Sequence, residues 1–334
     1  MIYLAITIDT ECDKGPQWLT QKPFKFDAVV RAIPEILQPL FERHNLKPTY
    51  LLSPEVILDH CSSDILGNLE GKVELGTHLH AEYVEPCPNW DTPATLDFQS
   101  QYSPEIERQK LENLTHLFRQ TFGYSPRSFR AGRFGISQFT LSILNKLGYR
   151  IDSSVTPYLD WRSLSTQSVN FLGAPDQPYF PDLYDYRKEG TMQILEVPVT
   201  VLNYFWCRFP KAMLRRLNPL NRYQSFFMGK VIKASSYRSW FRPTYNDGDG
   251  MMSLADFLIQ RKANDAPVVL NMMFHNVEFW PGTSPYAATE AKVKEYVSRI
   301  EQVVTYLLSK HEISSVGLSE LYEVYFSSRL KKYR

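Results

Sequence analysis

Ile2-Tyr3-Leu4-Ala5-Ile6-Thr7-Ile8-Asp9-Thr10-Glu11 is a β-rich apolar run that ends on two acids one residue apart. Followed by helical apolar spacing over residues 26–44, it predicts a buried strand with a covering helix. The pattern then repeats. Residues 47–52 read as a second strand, and Ser53-Pro54-Glu55 as the cap and first turn of a helix. Residues 72–77 predict a third strand, and Ser103-Pro104-Glu105 opens an amphipathic helix to about Phe122. Further short strands are expected over 127–131, 149–151, 194–201 and 268–274, with helices starting at Ser137, Ser253 and Thr289. Strands separated by helices are parallel βα units, so the fold class is α/β, either a barrel or a doubly wound sheet.

The 334 residues suit two domains of about 150 residues or one longer barrel. Hydrophobic residues make up 43% and charged residues 22%, ordinary globular usage that excludes a disordered, collagen-like or coiled-coil chain. The net charge, 37 − 36 = +1, argues against a nucleic-acid partner for the chain as a whole. No uncharged apolar run approaches the roughly 18 residues of a membrane span. The first ten residues carry no basic leader region, which gives a cytoplasmic expectation. Cys12, Cys61, Cys87 and Cys207 form no Cys-x-x-Cys pair, so neither a disulfide framework nor a cysteine zinc site is suggested.

One stretch is polarised. Residues 197–246 contain no acid but nine bases: Arg208, Lys211, Arg215, Arg216, Arg222, Lys230, Lys233, Arg238 and Arg242. Phe205, Trp206, Phe209, Phe226, Phe227, Trp240 and Phe241 are interleaved with them. Residues 158–249 are read as an insertion elaborating a single 1–334 domain and crossed by one barrel strand. The basic, aromatic segment 197–246 is expected to face an anionic membrane surface or a pyrophosphate-linked sugar. The competing reading is a rim whose cations pair with acids elsewhere.

Parallel α/β folds place active sites at the carboxyl ends of their strands. There the predicted strands end in Asp9 and Glu11, in His78 and His80, in Arg130 and Arg133, in Asp152, and in His275 followed by Glu278. Residues two apart in an extended segment point the same way, so His78 and His80 can approach one ion, as can Asp9 and Glu11. Two imidazoles and a carboxylate with open positions suit a catalytic divalent metal, zinc first, with iron, cobalt or nickel as alternatives. One of the two acids would bind the ion and the other accept a proton. Arg130 is a candidate for holding the base ionised, and Asp152 for orienting His275.

Taken together these residues resemble the polysaccharide deacetylase family, the NodB-like carbohydrate esterases of family 4. The resemblance runs from Thr7 to about Tyr286, through Thr7-Ile-Asp-Thr-Glu11, Gly76-Thr-His-Leu-His80, Phe129-Arg-Ala-Gly-Arg-Phe-Gly135, Asp152-Ser-Ser-Val155 and Phe274-His-Asn-Val-Glu278. It implies a distorted (β/α) barrel and a metal-dependent hydrolase that removes an N-acetyl or similar acyl group from an amino sugar in a polysaccharide or glycan precursor. Asp9 would be the base, Glu11, His78 and His80 the metal ligands, Arg130 and Asp152 supporting groups, and His275 the general acid. Arg133, Glu278 and Tyr286 would meet substrate. The family's adjacent Asp-Asp is here Asp9-Thr10-Glu11, so the two acids can exchange roles. Its His-x-x-x-His is here His78-Leu79-His80, with Glu82 at the i+4 position as the other possible third ligand. Alternatives are a non-catalytic sugar-binding relative, and a deformylase or cyclic amide hydrolase of the same fold. An iron oxygenase normally needs a jelly roll, and a glycosidase needs carboxylates flanking the bond rather than i,i+2 neighbours.

Overall fold

The computed structural model describes residues 1–90, 98–163, 169–217, 238–261 and 267–332. Strand β1 (Ile2–Thr10) lies at the centre, and its period of two sorts its side chains. Leu4, Ile6 and Ile8 join the main core beneath the helices. Tyr3 and Ala5 enter a second cluster with Leu51, Ile151, Leu195 and Val269, closed from below by Leu318 and Leu321 of the C-terminal helix Leu318–Lys332. On the face of Tyr3 and Ala5, one step further each, come Thr7 and Asp9. The inside of the sheet is therefore apolar at its base and polar near its carboxyl end.

From one side of β1 follow β2 (Pro48–Leu52), β3 (Glu74–Leu79), β4 (Ser128–Ala131), β5 (Ile151–Asp152) and β6 (Leu195–Glu196), all parallel. β7 (Val201–Asn203) and β8 (Arg238–Trp240) form a separate antiparallel ribbon. β9 (Val268–His275) pairs along the other side of β1, and β10 (Ile313–Ser315) beside its first residues. Between β6 and β9 the wall is completed without a strand ladder. The Thr200 N–H donates to the Asn271 carbonyl at 3.1 Å, the Phe241 N–H to Thr200 at 2.9 Å, and the Met273 N–H to Phe241 at 3.3 Å. This is a parallel half-barrel, closed irregularly by part of the 158–249 segment.

Prolines explain where expectation and structure part. The helix expected over 26–44 is a widened π-type helix, Ala28–Leu37, running into Gln38–Arg43. Pro34, inside the first part, has no N–H to donate to the preceding turn. The single strand expected over 194–201 is split into β6 and β7 around Pro198 for the same reason. β10 and the C-terminal helix lie beyond the elements read from the sequence. No helix among the described residues is long and apolar enough to cross a membrane.

Candidate active site

A guanidinium buried as completely as Arg130 has to find every acceptor within the protein. Its Nη1 donates to Asp9 Oδ1 at 2.7 Å and its Nη2 to Thr7 Oγ1 at 2.8 Å and Ser153 Oγ at 2.9 Å, while Nε donates to the Ser153 carbonyl at 2.7 Å. Asn271 completes this layer, at 2.9 Å from Thr7 Oγ1 and donating to Ser153 Oγ at 3.0 Å. One oxygen of Asp9 is thus anchored. The other, Oδ2, stands 3.9 Å from Nε2 of both His78 and His275. Burial pushes the Asp9 carboxyl up, but Arg130, with His78 and His275, holds it below its ordinary value.

Glu11 leaves the same strand two residues later. Its backbone is clamped by Asn276, which accepts from the Glu11 N–H and donates to the Glu11 carbonyl, both at 2.9 Å. Its Oε1 lies 3.2 Å from His78 Nε2 and 3.1 Å from His80 Nε2. His78 Nδ1 is 3.1 Å from the Arg130 carbonyl, and His80 Nδ1 is 3.1 Å from Glu82 Oε1. Both of those partners only accept, so each Nδ1 donates to its partner and each Nε2 is left facing the Glu11 carboxylate.

A carboxylate oxygen and two imidazole Nε2 atoms thus converge in one buried space. Ligand atoms of Glu11, His78 and His80 all lie within 4.8 Å of one another. Tetrahedral zinc, with bonds of about 2.0–2.2 Å, sets its ligands roughly 3.3–3.5 Å apart. The set therefore fits a divalent cation. Burial disfavours a charge on His80, but Glu11 and Glu82 outweigh it and raise its pKa to about 9, so the ring itself can carry the positive charge that a bound cation would otherwise supply. Lys14 neutralises the remaining Glu11 oxygen, Oε2, at 2.8 Å. Glu82 is otherwise engaged. Besides His80 it takes Arg133 Nη2 at 2.8 Å, so it stands behind the His80 ring in the manner of a carboxylate that orients a ligand histidine.

His275 ends β9. Its Nε2 faces the site, 3.9 Å from Asp9 Oδ2 and 3.8 Å from Glu11 Oε1. Its Nδ1 lies 2.9 Å from Glu278 Oε1, not against Asp152. The orienting role expected for Asp152 is thus corrected: β5 and β6 are in register at Asp152 and Glu196, which sets the two buried carboxyls side by side. Burial raises both; the Asp152 charge pushes Glu196 up further, while the contact with Glu196 draws Asp152 down, a division expected of two carboxyls that share a proton. Glu278, expected to meet substrate, is fully buried and does not line the cleft above the site; it is held by Arg242, His275 and Thr244. Burial pushes its carboxyl up, but Arg242 and His275 bring it below its ordinary value.

A cleft of about 470 Å³ opens over these groups. Trp18, Tyr245 and Tyr286 border it near His275, and Phe98, Phe134, Trp161 and Trp240 also line it. Trp18 meets His275 edge-on at 5.0 Å, and Phe134 stacks on Trp161 at 5.7 Å. Gln17, Trp18, Arg133 and Phe134 all adopt positive φ, between 53° and 67°. Such strain in non-glycine residues collects at functional sites. Close packing of the strand ends contributes too: a Cβ on Gly132 would stand 2.5 Å from the Leu79 carbonyl oxygen. Of the expected substrate contacts, Arg133 and Tyr286 do line the cleft.

Lys14 and Arg242 were not singled out from the sequence. The only available signal for Lys14 was its place three residues after Glu11. For Arg242 it was the surplus of acids outside 197–246, which has to be balanced somewhere. That stretch turns several cations inward, Arg242 to Glu278, Lys211 to Asp176 at 3.2 Å and Arg215 to the Gly173 carbonyl at 2.9 Å. Arg208 and Arg216 are exposed. Arg222, Phe226, Phe227, Lys230, Lys233 and the Arg238 side chain lie outside the described residues.

No protein-family profile matches the sequence, and no curated protein sequence matches it either. Solved structures do. A Mycobacterium smegmatis protein assigned as a polysaccharide deacetylase is similar over 97% of this chain and 91% of its own, at TM-score 0.52 and 13% identity. A Parabacteroides distasonis protein assigned as a glycoside hydrolase/deacetylase is similar over 97% and 70%, at TM-score 0.60 and 11% identity. Puue allantoinase is similar over 96% and 89%, at TM-score 0.54 and 12% identity. At these identities the likeness is one of fold. The chain has the NodB-type fold of the polysaccharide deacetylases, with a buried Glu-His-His set able to hold a divalent metal.

Proposed function

We propose that the protein is a metal-dependent deacylase that hydrolyses the N-acetyl, or a similar N-acyl, group of an amino sugar. The observation that carries this reading is the Glu11–His78–His80 donor set flanked by Asp9 Oδ2 and His275 Nε2. A divalent cation held there, zinc by preference, would supply an activated water and polarise the acyl carbonyl. Asp9 Oδ2, kept ionised by Arg130, takes the proton lost by the attacking water. His275 Nε2 gives a proton to the nitrogen as the carbon–nitrogen bond breaks, leaving a free amine and a carboxylate. Tyr286 and the aromatic residues of the cleft offer flat faces to a sugar ring.

The test is release of acetate from a di-N-acetylated disaccharide by zinc-loaded protein, compared with Asp9→Asn. The substitution should reduce turnover about 100-fold to 10,000-fold while zinc content stays the same. Sugar binding without acetate release by the unaltered protein would instead favour a non-catalytic binding relative.

A further inference from the structure

Both proton-handling groups of this site are backed by an arginine, but the two come from unrelated parts of the chain. Arg130, on β4, faces Asp9. Arg242 follows β8 and reaches the site from the stretch that holds no acid of its own. Its side chain is 4% exposed. Nη2 donates to Glu278 Oε1, the oxygen that also takes His275 Nδ1 at 2.9 Å, and Nη2 lies 3.2 Å from that nitrogen. Nε donates to Thr244 Oγ1 at 2.9 Å, and the Thr244 hydroxyl donates to Glu278 Oε2 at 2.9 Å. The guanidinium therefore grips both carboxylate oxygens, one directly and one through Thr244. The Tyr245 ring, 4.1 Å from the guanidinium carbon, covers it on the cleft side.

We propose that Arg242 is a positioning residue for the general acid: it keeps Glu278 an ionised, purely accepting carboxylate, which fixes the proton on His275 Nδ1 and lets Nε2 hold the transferable one. The role rests on the deacylase reading. A buried carboxylate deprived of its counter-ion takes up a proton. Glu278 would then be a donor, its O–H directed at His275 Nδ1, and the ring would settle as the neutral Nε2–H tautomer, a very weak acid. With Glu278 an accepting carboxylate 2.9 Å away, Nδ1 keeps its proton. The doubly protonated ring gives up its Nε2 proton as the carbon–nitrogen bond breaks and ends in the neutral Nδ1–H form. Arginine suits this place because its planar fork spans two acceptors and it stays charged when buried.

The test uses the full chain loaded with zinc and two readouts. The first is the ¹⁵N pattern of the His275 ring, which needs no substrate. It should show Nδ1–H in the unaltered protein and Nε2–H in Arg242→Gln, with Arg242→Lys recovering part of the Nδ1–H form. The second is leaving-group dependence. Arg242→Gln should slow release of acetate from a di-N-acetylated disaccharide about 100-fold or more, the size of a general-acid contribution, but slow 4-nitrophenyl acetate, whose leaving group needs no proton, less than about threefold. Thr244→Val, which removes only the indirect contact, should show the same pattern more weakly and serves if Arg242→Gln fails to fold. An unchanged His275 tautomer overturns the proposal whether or not any substrate is hydrolysed, and so does an equal loss with both substrates. A tautomer change in a protein that hydrolyses neither substrate supports the positioning role and counts against the deacylase reading.

Discussion

A carboxylate oxygen 3.1 and 3.2 Å from two imidazole nitrogens needs a proton or a cation in each contact. At the scale of single residues, that requirement separates groups that the sequence left interchangeable. Glu11 touches both histidines, whereas Asp9 stands back at 3.9 Å with its other oxygen on Arg130. His80 turns Nε2 into the set, whereas Glu82 meets the far side of its ring. Metal analysis checks this assignment. Glu11→Gln and His80→Ala should leave close to no bound zinc after dialysis. Glu82→Gln should still bind it, about 10–100-fold more weakly, as expected of a group that orients a ligand. Zinc retained by His80→Ala and lost from Glu82→Gln would reverse the assignment. His78 and His80 were legible because an i,i+2 pair at a strand end needs only the period of two to converge. The pairing of Arg242 with Glu278 was not, since the two meet only through the tertiary fold.

Among elements, β1 was the most legible, because its alternation separates helix-facing Leu4, Ile6 and Ile8 from inward Thr7 and Asp9 without reference to any other strand. What the alternation does not reveal is how the chain is held beyond Thr10, where the ladder with β2 ends. Asn276, just past β9, supplies that restraint through its paired bonds to Glu11. Asn276→Ala leaves a buried N–H and a buried carbonyl without partners, each costing about 1–3 kcal/mol. The variant should unfold at lower urea concentration and bind zinc more weakly, although it removes no ligand. Weaker stability with unchanged zinc affinity would mean that Glu11 is placed by something else. The expected pairing of Asp152 with His275 failed at this same scale. β5 has only two residues, and its register sets Asp152 against Glu196 on the neighbouring strand.

Across the whole molecule, several buried acids are matched by a base: Asp9 with Arg130, Glu11 with Lys14, Glu82 with Arg133, Glu278 with Arg242. Asp152 and Glu196 are instead two acids together, and the pair makes stability depend on pH. Burial raises both folded pKa values and the Asp152 charge raises that of Glu196 further, so the folded chain keeps a proton that the unfolded chain releases above about pH 4. With more protons bound to the folded state, the pair's contribution to stability falls as pH rises from the ordinary carboxylate range toward the raised value, by up to about 1.4 kcal/mol per pH unit. Glu196→Gln removes that dependence. Its amide can donate to Asp152 while its oxygen still accepts from the Val155 N–H, which lies 3.0 Å from Glu196 Oε1. Other titrating groups are common to both proteins and largely cancel in the comparison. The Tm of Glu196→Gln minus that of the unaltered chain should therefore grow steadily between pH 5 and pH 8, whichever protein is the more stable at pH 5. A difference that stays flat over that interval would mean that both carboxyls are already ionised in the folded state and that no proton is shared.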